Sequence, residues 1–404
     1  MTDQVTIGLE RCLAEPPDLL RGARFGLLSN QASVDRRFRY AHQLLAERFP
    51  GQLRALFGPQ HGLWSEQQDN MVETAHGRDA ELQLPVHSLY ADRPRPSRDQ
   101  LRGLDLLVVD LQNVGTRVYT YSWTVSYCLE ACAEAGIPLL VLDRPNPVGG
   151  LLVEGPRLDP LYSSFVGRHP IPMRHGLTMA EMARYLNRAM GIDAEIDTVP
   201  MQGWHRGLHF TETGRTWLPA SPNLPRIEGV DLYPGQVLVE GTNLSEGRGT
   251  TTPFEVIGAP FIDPPRLIEA IGAYDLPGVV FRPIRFEPTF HKWCGTSCGG
   301  LHLHVVDRRA MRPYRTAVAL LAAIGRLWPD AFAWTAPPYE YETEKRPIDI
   351  LAGSPGLREA IDAGLGPDEV SELAHGDQQD DWWAEVDDAL LYSSEDAPAR
   401  RASE

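Results

Sequence analysis

The sequence predicts an α/β protein with a Rossmann-like parallel sheet domain followed by a second, smaller α/β (α+β) domain. Through the first 150 residues, short apolar runs alternate with stretches of helical spacing, as in parallel strands covered by helices on both faces. The chain of 404 residues is also too long for one ordinary core. We therefore expect domains at residues 1–155 and 156–390 and a frayed tail at 391–404.

The N-terminal part contains four apolar runs of strand length, which lie at residues 24–28, 53–57, 104–111 and 137–142. Continuous apolar runs of this kind are typical of strands buried on both faces. Helices are predicted at residues 36–48 and 121–135, and Gly136 provides a stop signal for the second helix. The order of these elements favours a doubly wound sheet.

The C-terminal part is less regular. A Pro- and Gly-rich stretch at 154–174 precedes a helix predicted at 178–190, where Thr178 and Glu181 form a capping-box pattern. A strand is predicted at 236–240, ahead of a glycine- and threonine-rich loop. Further strands are predicted at 278–286 and 300–306, and a helix at 312–328.

Polar, Gly- and Pro-rich segments follow the four N-terminal strands at their carboxyl ends. In open α/β sheets ligands bind at this edge. Turns need small and polar residues, but turn chemistry alone does not require amide, imidazole, carboxylate and guanidinium groups together. The sequence therefore predicts a binding or catalytic site that includes the strand-end residues Gln60, His61, Asp110, Gln112, Arg117, Asp143 and Arg144.

Composition excludes several functional classes. The net charge of −16 and the pI of about 5.2 argue against binding to a phosphate backbone. The longest apolar runs are far too short to span a bilayer, and charged residues interrupt the first 16 positions, so no membrane partner is expected. Five cysteines are too few for a disulfide framework, and we expect a cytoplasmic protein.

The loop at 240–255 reads EGTNLSEGRGTTTPFE, and its glycines allow a tight turn that presents Glu240, Asn243, Glu246 and Arg248 together. Its Gly-x-Gly is not a dinucleotide fingerprint, because the third glycine and the ribose-binding acid are missing. A nicotinamide oxidoreductase is therefore not supported, and we expect no cofactor.

The segment at 110–121 reads DLQNVGTRVYTY and combines amides, Arg117 and the aromatic ring of Tyr119. Such a mixture is typical of a sugar pocket, because sugars present both C–H faces and hydroxyl groups. A serine hydrolase is not indicated, because no G-x-S-x-G elbow is present. The spacing of Cys294 and Cys298 does not match a standard zinc motif, and we expect no metal.

The motifs together resemble the NamZ-type exo-β-N-acetylmuramidases. The matching segments lie between about Gly22 and about Arg308, and they read NQAS, FGPQHG, DLQNVGTRVYTY, LDRPNPVGG, VEGP, SFVGRHPIPMRHG, SPNLP and EGTNLSEGRGTTTPFE. The resemblance implies a two-domain glycosidase with its active site in the cleft between the domains. Such an enzyme releases N-acetylmuramic acid from the non-reducing end of peptidoglycan fragments. The resemblance thus implies a muropeptide or a disaccharide containing that sugar as the substrate, in cell-wall recycling. Its motifs add Asn30, Asn146, Arg174 and Asn223 to the expected substrate contacts.

This chain departs from the family pattern at one position. Family members carry Gly-Pro-Glu-His-Gly, in which the glutamate is the proposed catalytic acid, whereas this chain has Gln60. An amide has no dissociable proton near neutral pH. Three explanations are open: a neighbouring carboxylate such as Glu66, Asp69 or Glu73 takes over, Glu240 or Glu246 supplies the acid, or the activity is lost or changed.

Glycoside hydrolysis needs a proton donor for the leaving oxygen, and a 2-acetamido sugar can supply its own nucleophile. We hypothesise that Glu66 or Glu246 is the acid and that Asp110 or Glu240 orients the acetamide group or a water. Because a guanidinium matches a carboxylate, the lactyl carboxylate would pair with Arg117, Arg174 or Arg248. The alternative is a non-catalytic protein that binds or senses muropeptides, in which Gln60 keeps the shape of the acid without its proton.

Overall fold

The structure is a computed structural model that describes residues 4–68, 73–91, 94–375 and 379–393. Two sequence expectations concern residues outside these ranges: Asp69 as a substitute acid, and the frayed tail beyond Ser393. The first sheet has seven strands in the order β3-β4-β2-β1-β5-β6-β7. Their bounds are β1 Phe25–Ser29, β2 Leu53–Gly58, β3 Gly77–Arg78, β4 Pro85–Ser88, β5 Leu106–Asp110, β6 Leu139–Leu142 and β7 Ile196–Val199.

The first sheet is parallel except at its edge, where β3 runs antiparallel to β4. The four strands predicted from apolar runs are confirmed as β1, β2, β5 and β6. The sheet takes its seventh strand from Ile196–Val199, which lies beyond residue 155. The domain boundary at 155 stays a prediction.

The helices of the N-terminal part are α1 Gly8–Ala14, α2 Ala41–Arg48, α3 Arg98–Leu101, α4 Tyr121–Ala135 and α5 Met179–Ala189. Gly136 ends α4 in the left-handed region, with φ 66°, as the sequence predicts. The capping box of α5 is also confirmed, because the Thr178 hydroxyl accepts from the Glu181 amide while the Glu181 carboxylate accepts from the Thr178 amide.

A smaller antiparallel sheet follows, in the order β8-β10-β9. Its strands are β8 Val256–Ala259, β9 Val279–Phe286 and β10 Cys298–Val305. The helices of the C-terminal part are α6 Ile227–Gln236, α7 Pro264–Ile271, α8 Pro313–Leu327, α9 Pro347–Ala352, α10 Gly356–Asp362, α11 Pro367–His375 and α12 Gln379–Val386. Among the described residues, none of the helices has the length and hydrophobicity that crossing a bilayer requires.

The strand predicted at 236–240 is wrong, because α6 continues directly into a 3₁₀ turn at Val237–Gly241. The side chains of this segment are buried on every side of the backbone. A short buried run of this kind has no periodicity that would distinguish a strand from a helical turn. Gly241 closes the turn against α9, where a Cβ atom would lie 2.7 Å from Cα of Ile348. This close approach fixes the position of Glu240.

The first sheet changes direction of winding between β1 and β5, which are neighbours although β2, β3 and β4 separate them in sequence. Ligands bind at the carboxyl ends of strands near such a point. Asn30 follows β1, Gln60 follows β2, and Asp110 ends β5. The fold therefore places the predicted strand-end residues along one edge of the sheet.

Candidate functional site

A cavity lies where residues after β2, the N-terminus of α4 and the loops of the C-terminal part meet. We refer to it as the Gln60 cavity. It is lined by Gln60, His61, Val118, Tyr119, Thr120, Tyr121, Val166, Ser221, Asn223, Leu224, Tyr233, Glu240, Arg248, Phe254, Tyr339 and Glu340.

Both ends of the Gln60 amide are held by side chains. The Thr120 hydroxyl donates to Gln60 Oε1 at 2.7 Å, and Gln60 Nε2 donates to Glu340 Oε1 at 3.2 Å. Because a hydroxyl donor meets the carbonyl and a carboxyl acceptor meets the NH₂ group, the amide has one favourable orientation. Thr120 is the N-cap of α4, so a rigid helix end fixes Gln60 against the carboxyl group of Glu340.

Glu340 is buried, with 4% of its surface exposed, and Tyr90 donates to its second oxygen at 2.9 Å. Burial, reinforced by the charge of Glu240, raises the pKa of Glu340 to about 7, although hydrogen bonds from Tyr90 and Gln60 oppose the shift. A carboxyl group with this pKa holds its proton for part of the time at neutral pH. It can therefore act as an acid where an ordinary glutamate is ionised.

The turn that carries Glu340 has an unusual backbone. Glu340 and Tyr341 both have left-handed φ angles, of 45° and 69°. Each such residue costs roughly 1–2 kcal/mol when it is not glycine. Reciprocal backbone hydrogen bonds between Tyr339 and Glu342, of 2.8 and 2.9 Å, hold the turn closed. Residues kept in such conformations are concentrated at functional sites.

Glu240 is the second carboxyl group of the cavity, and its partners are different. Arg248 Nη2 donates to Glu240 Oε1 at 2.8 Å, and the Tyr339 hydroxyl donates to Oε2 at 2.7 Å. Although burial opposes its charge, Glu240 and Glu246 raise the pKa of Arg248, so the guanidinium stays a cation. A charge-assisted hydrogen bond of this kind is stronger than one between neutral groups. The cavity thus contains one cation-paired carboxylate and one carboxyl group with a raised pKa.

Glu246 lies behind Arg248 and is fully buried. Lys292 Nζ approaches it at 3.0 Å and Arg248 Nε at 3.2 Å. Burial alone would raise the pKa of Glu246, but the charges of Lys292 and Arg248 outweigh burial and hold that pKa below its ordinary value. Lys292 also donates to the carbonyls of Val239 and Leu244, so it braces the loop that carries Glu240.

His61 lines the cavity as a neutral imidazole. Its Nδ1 lies 2.8 Å from the carbonyl of Gln67 and its Nε2 lies 3.1 Å from the Ser221 hydroxyl. Burial, together with the nearby Arg248 charge, lowers the pKa of His61 to about 4. His61 is therefore not a proton donor of the imidazolium type near neutral pH.

The structure brings six of the residues predicted from sequence to the wall of the Gln60 cavity, namely Gln60, His61, Tyr119, Asn223, Glu240 and Arg248. Asn30 lies behind the wall, where its amide donates to the Tyr121 hydroxyl at 2.8 Å. Glu246 lies behind Arg248. The functional roles of these residues stay predictions.

Other predicted residues lie away from the cavity wall. Asp110 accepts two hydrogen bonds from Arg144, of 2.5 and 2.8 Å, and both side chains are buried. Arg144 and Gln112 line a separate hollow. Glu66 is exposed and lines a third hollow beside Trp64.

The remaining predicted residues have partners within the protein. Arg117 is buried and donates to the carbonyls of Pro156, Ile171 and Leu351. Arg174 pairs with Glu154 at 3.3 Å. The amides of Asn146 and Asn243 donate to the carbonyls of Leu177 and Ala331, respectively.

Sequence reasoning missed Glu340, together with Tyr90 and Tyr339, which hold the two carboxyl groups. The segment Tyr-Glu-Tyr-Glu at 339–342 was a usable signal, because it alternates aromatic and acidic residues. It lies beyond the motifs that carry the family resemblance. In the described ranges, no group of His, Cys, Asp and Glu side chains is arranged to hold a metal ion.

Comparison with known proteins gives consistent matches along the chain. Residues 25–228 match the family model for the N-terminal part of the exo-β-N-acetylmuramidase NamZ, and residues 231–392 match the model for its C-terminal part. The chain is 40% identical over 367 residues to the peptidoglycan β-N-acetylmuramidase NamZ of Bacillus subtilis (strain 168), covering 91% of this chain and 86% of the relative.

Two crystal structures of DUF1343 family proteins from Bacteroides fragilis have the same fold. The first has a TM-score of 0.86 and 29% identity, and the match covers 96% of this chain and 99% of the other. The second has a TM-score of 0.74 and 27% identity, and the match covers 97% and 100% of the two chains. These likenesses confirm the predicted fold class of a mostly parallel sheet followed by a smaller sheet.

Proposed function

The chain belongs to the NamZ family of exo-β-N-acetylmuramidases, and we propose that it hydrolyses the glycosidic bond of terminal N-acetylmuramic acid at the Gln60 cavity. The chain is accordingly a glycoside hydrolase that acts on peptidoglycan-derived substrates. The observation that carries the assignment to this cavity is the pair of carboxyl groups, Glu240 and Glu340, on one wall. Glycosidases use carboxyl groups in two protonation states, and these two differ in their partners.

The remaining wall suits a sugar ring. Tyr119 and Tyr233 provide aromatic surface, with ring centroids 6.2 Å apart in an edge-to-face arrangement. Asn223 adds an amide, and Ser221 adds a hydroxyl. Aromatic rings cover C–H faces, while amides and hydroxyls bind the sugar hydroxyl groups.

Recognition of the lactyl carboxylate is assigned to Arg248. Of the three arginines considered from sequence, Arg117 and Arg174 are engaged inside the protein, whereas Arg248 lines the cavity. A guanidinium carries five N–H donors, more than its contacts with Glu240 and Glu246 use. The proposal extends to release from the non-reducing end and to a cytoplasmic location, which the free thiols of all five cysteines support.

The alternative of a non-catalytic muropeptide-binding or sensing protein is not favoured by the comparisons, which match enzymes along almost the whole chain. The cavity also offers a reason to set the alternative aside. Gln60 has no acidic proton, but the carboxyl group of Glu340 lies in contact with its amide. The loss of one acid therefore does not leave the cavity without another.

The proposed function is tested by incubating the wild-type chain with the disaccharide N-acetylmuramyl-β-1,4-N-acetylglucosamine and detecting free N-acetylmuramic acid by mass spectrometry. N,N′-diacetylchitobiose, which lacks the lactyl group, serves as the control substrate. We expect release from the muramyl disaccharide and at least about tenfold slower cleavage of the control, because the Arg248 contact is lost. Binding of the disaccharide without any release would support the non-catalytic alternative and contradict the proposal.

A further inference from the structure

We propose that Glu340 is the proton donor of the Gln60 cavity and takes over the task that residue 60 does not perform. This assignment rests on the proposed hydrolytic function and adds to it the residue that protonates the leaving group.

The geometry places Glu340 beside Gln60, the position at which the family carries its glutamate. Its Oε1 accepts from Gln60 Nε2 at 3.2 Å, so the two side chains occupy adjoining parts of the same wall. The Thr120 hydroxyl orients the Gln60 amide so that its NH₂ group faces Glu340. The hydrogen bond from the amide favours the ionised form of Glu340, but burial and the charge of Glu240 outweigh it and raise the pKa of Glu340. Gln60 positions the acid and is not the acid itself.

The other carboxyl groups considered as acids are less suited. Glu240 is held by a charge-assisted hydrogen bond from Arg248 and accepts a second hydrogen bond from Tyr339. Glu246 is fully buried against Lys292 and Arg248, and its pKa is held low.

Two further carboxyl groups lie elsewhere, namely Glu66, which the sequence suggested as the acid, and Asp110, which it suggested for orienting the acetamide group or a water. Glu66 is exposed beside a separate hollow, and Asp110 is paired with Arg144. Among these carboxyl groups, Glu340 combines a place on the cavity wall with direct contact to the Gln60 amide.

The charged and titratable groups that face Glu340 come from several elements. Tyr90, which follows β4, donates to Oε2, and its own pKa is raised above the physiological range, chiefly by burial. Glu240 favours the protonated form of Glu340 and Arg248 opposes it. Tyr233, Tyr339 and Tyr341 also lie nearby, and burial raises the pKa of each, so they stay neutral. The net result is a carboxyl group with a pKa of about 7.

In the proposed step, Glu340 transfers its proton to the leaving oxygen as the glycosidic bond breaks. The bond between the anomeric carbon and the glycosidic oxygen breaks, its electron pair stays on the oxygen, and that oxygen takes the proton from the Glu340 carboxyl group. The positive charge that develops on the sugar lies near the Glu240 carboxylate. Water then adds to the anomeric carbon, and the proton that it loses restores the acid form of Glu340. The sum is one glycoside and one water converted into a free sugar, which is a hemiacetal at the anomeric carbon, and one alcohol.

The first experiment compares the wild-type chain with Glu340→Gln on two substrates. The muramyl disaccharide has a poor leaving group that needs protonation, whereas 4-nitrophenyl N-acetyl-β-muramide has a good one. We expect kcat/KM to fall by about 100-fold or more on the disaccharide and by about tenfold or less on the nitrophenyl substrate. Glu344→Gln makes the same charge change four residues away, and we expect it to leave both rates unchanged.

The second experiment uses Tyr90→Phe, which keeps the Glu340 carboxyl group and removes one donor to it. Because the Tyr90 hydrogen bond lowers the pKa of Glu340, its loss moves the basic limb of the pH profile for kcat/KM to higher pH. This variant keeps the assignment testable if Glu340→Gln does not fold. A change in rate without a shift of that limb would overturn the assignment.

The two proposals fail in different ways. If the wild-type chain cleaves neither substrate, the proposed function fails and the assignment of Glu340 fails with it. If the wild type cleaves both and Glu340→Gln loses the same factor on each, only the assignment is overturned. A preferential loss on the disaccharide, with retained binding of N-acetylmuramic acid, supports both.

Discussion

Gln60 Nε2 lies 3.2 Å from Glu340 Oε1, although the two residues are 280 positions apart in the chain. One follows β2 of the first sheet, and the other lies in a strained turn shortly before α9. The contact brings an amide that has no acidic proton to a carboxyl group that has one near neutral pH. The absence of a glutamate at position 60 is therefore compatible with hydrolysis.

Gln60→Glu restores a carboxyl group at position 60 and places it against Glu340. Two carboxyl groups at this distance do not ionise independently, so they share a proton and the second ionisation moves to higher pH. We expect the variant to stay active, with the basic limb of kcat/KM at higher pH than in the wild type. A pH profile on the muramyl disaccharide measures this, and an unchanged limb would show that the two groups do not interact.

Glu66→Gln tests the residue that the sequence favours as a substitute acid. Because Glu66 is exposed and lies beside a different hollow, we expect kcat/KM on the muramyl disaccharide to stay within about threefold of the wild type. The corresponding change at Glu340 provides the comparison. A loss of about 100-fold in Glu66→Gln would instead identify Glu66 as the acid.

Asp110→Asn tests whether the carboxylate at the end of β5 contributes to the stability of the fold. The substitution leaves the buried Arg144 guanidinium without its carboxylate, and breaking a buried pair in this way costs about 3–5 kcal/mol. We expect a lower midpoint in urea unfolding and an unchanged pH profile for the folded enzyme. Asp105→Asn, at the exposed pair with Arg24, is the matched control and should lower the midpoint much less.

Because the pKa of Glu340 is raised, we expect the free energy of unfolding to depend on pH. Its pKa in the folded chain is about 7, above the ordinary 4.5, so its favourable contribution is complete below the ordinary pKa and is lost as the pH rises through about 7. The wild type should then lose on the order of 3 kcal/mol relative to Glu340→Gln by about pH 8. Thermal unfolding of both proteins at about pH 5 and about pH 8 measures the difference. An equal gap at both pH values would contradict the raised pKa.

The sequence predicted the first sheet well, because buried parallel strands are continuous apolar runs and their polar carboxyl ends are easy to recognise. Gln60 and His61 were placed correctly at that edge. The carboxyl group opposite them was not predicted, since Glu340 reaches the cavity through a turn that no periodic pattern marks. The 3₁₀ turn at Val237–Gly241 was taken for a strand for a similar reason, because burial on all sides removes the period.

Several polar residues that the sequence predicted for the site instead have partners inside the protein. Arg117 donates to backbone carbonyls, and Asp110 and Arg144 pair with each other, whereas Arg248 lines the cavity. Their partners lie far away along the chain, so spacing alone does not separate a buried structural charge from one that faces a ligand. Packing decides this, and packing becomes visible in the structure.

The most direct test of Glu340 as the proton donor is a measurement of the pKa of its carboxyl group. The wild-type chain labelled with ¹³C at the glutamate side-chain carboxyl is titrated by NMR, and the Glu340 signal is assigned by its disappearance in Glu340→Gln. We predict that the Glu340 signal titrates with a midpoint near pH 7. A midpoint at or below the ordinary 4.5 would mean that Glu340 is ionised at neutral pH and is not the proton donor.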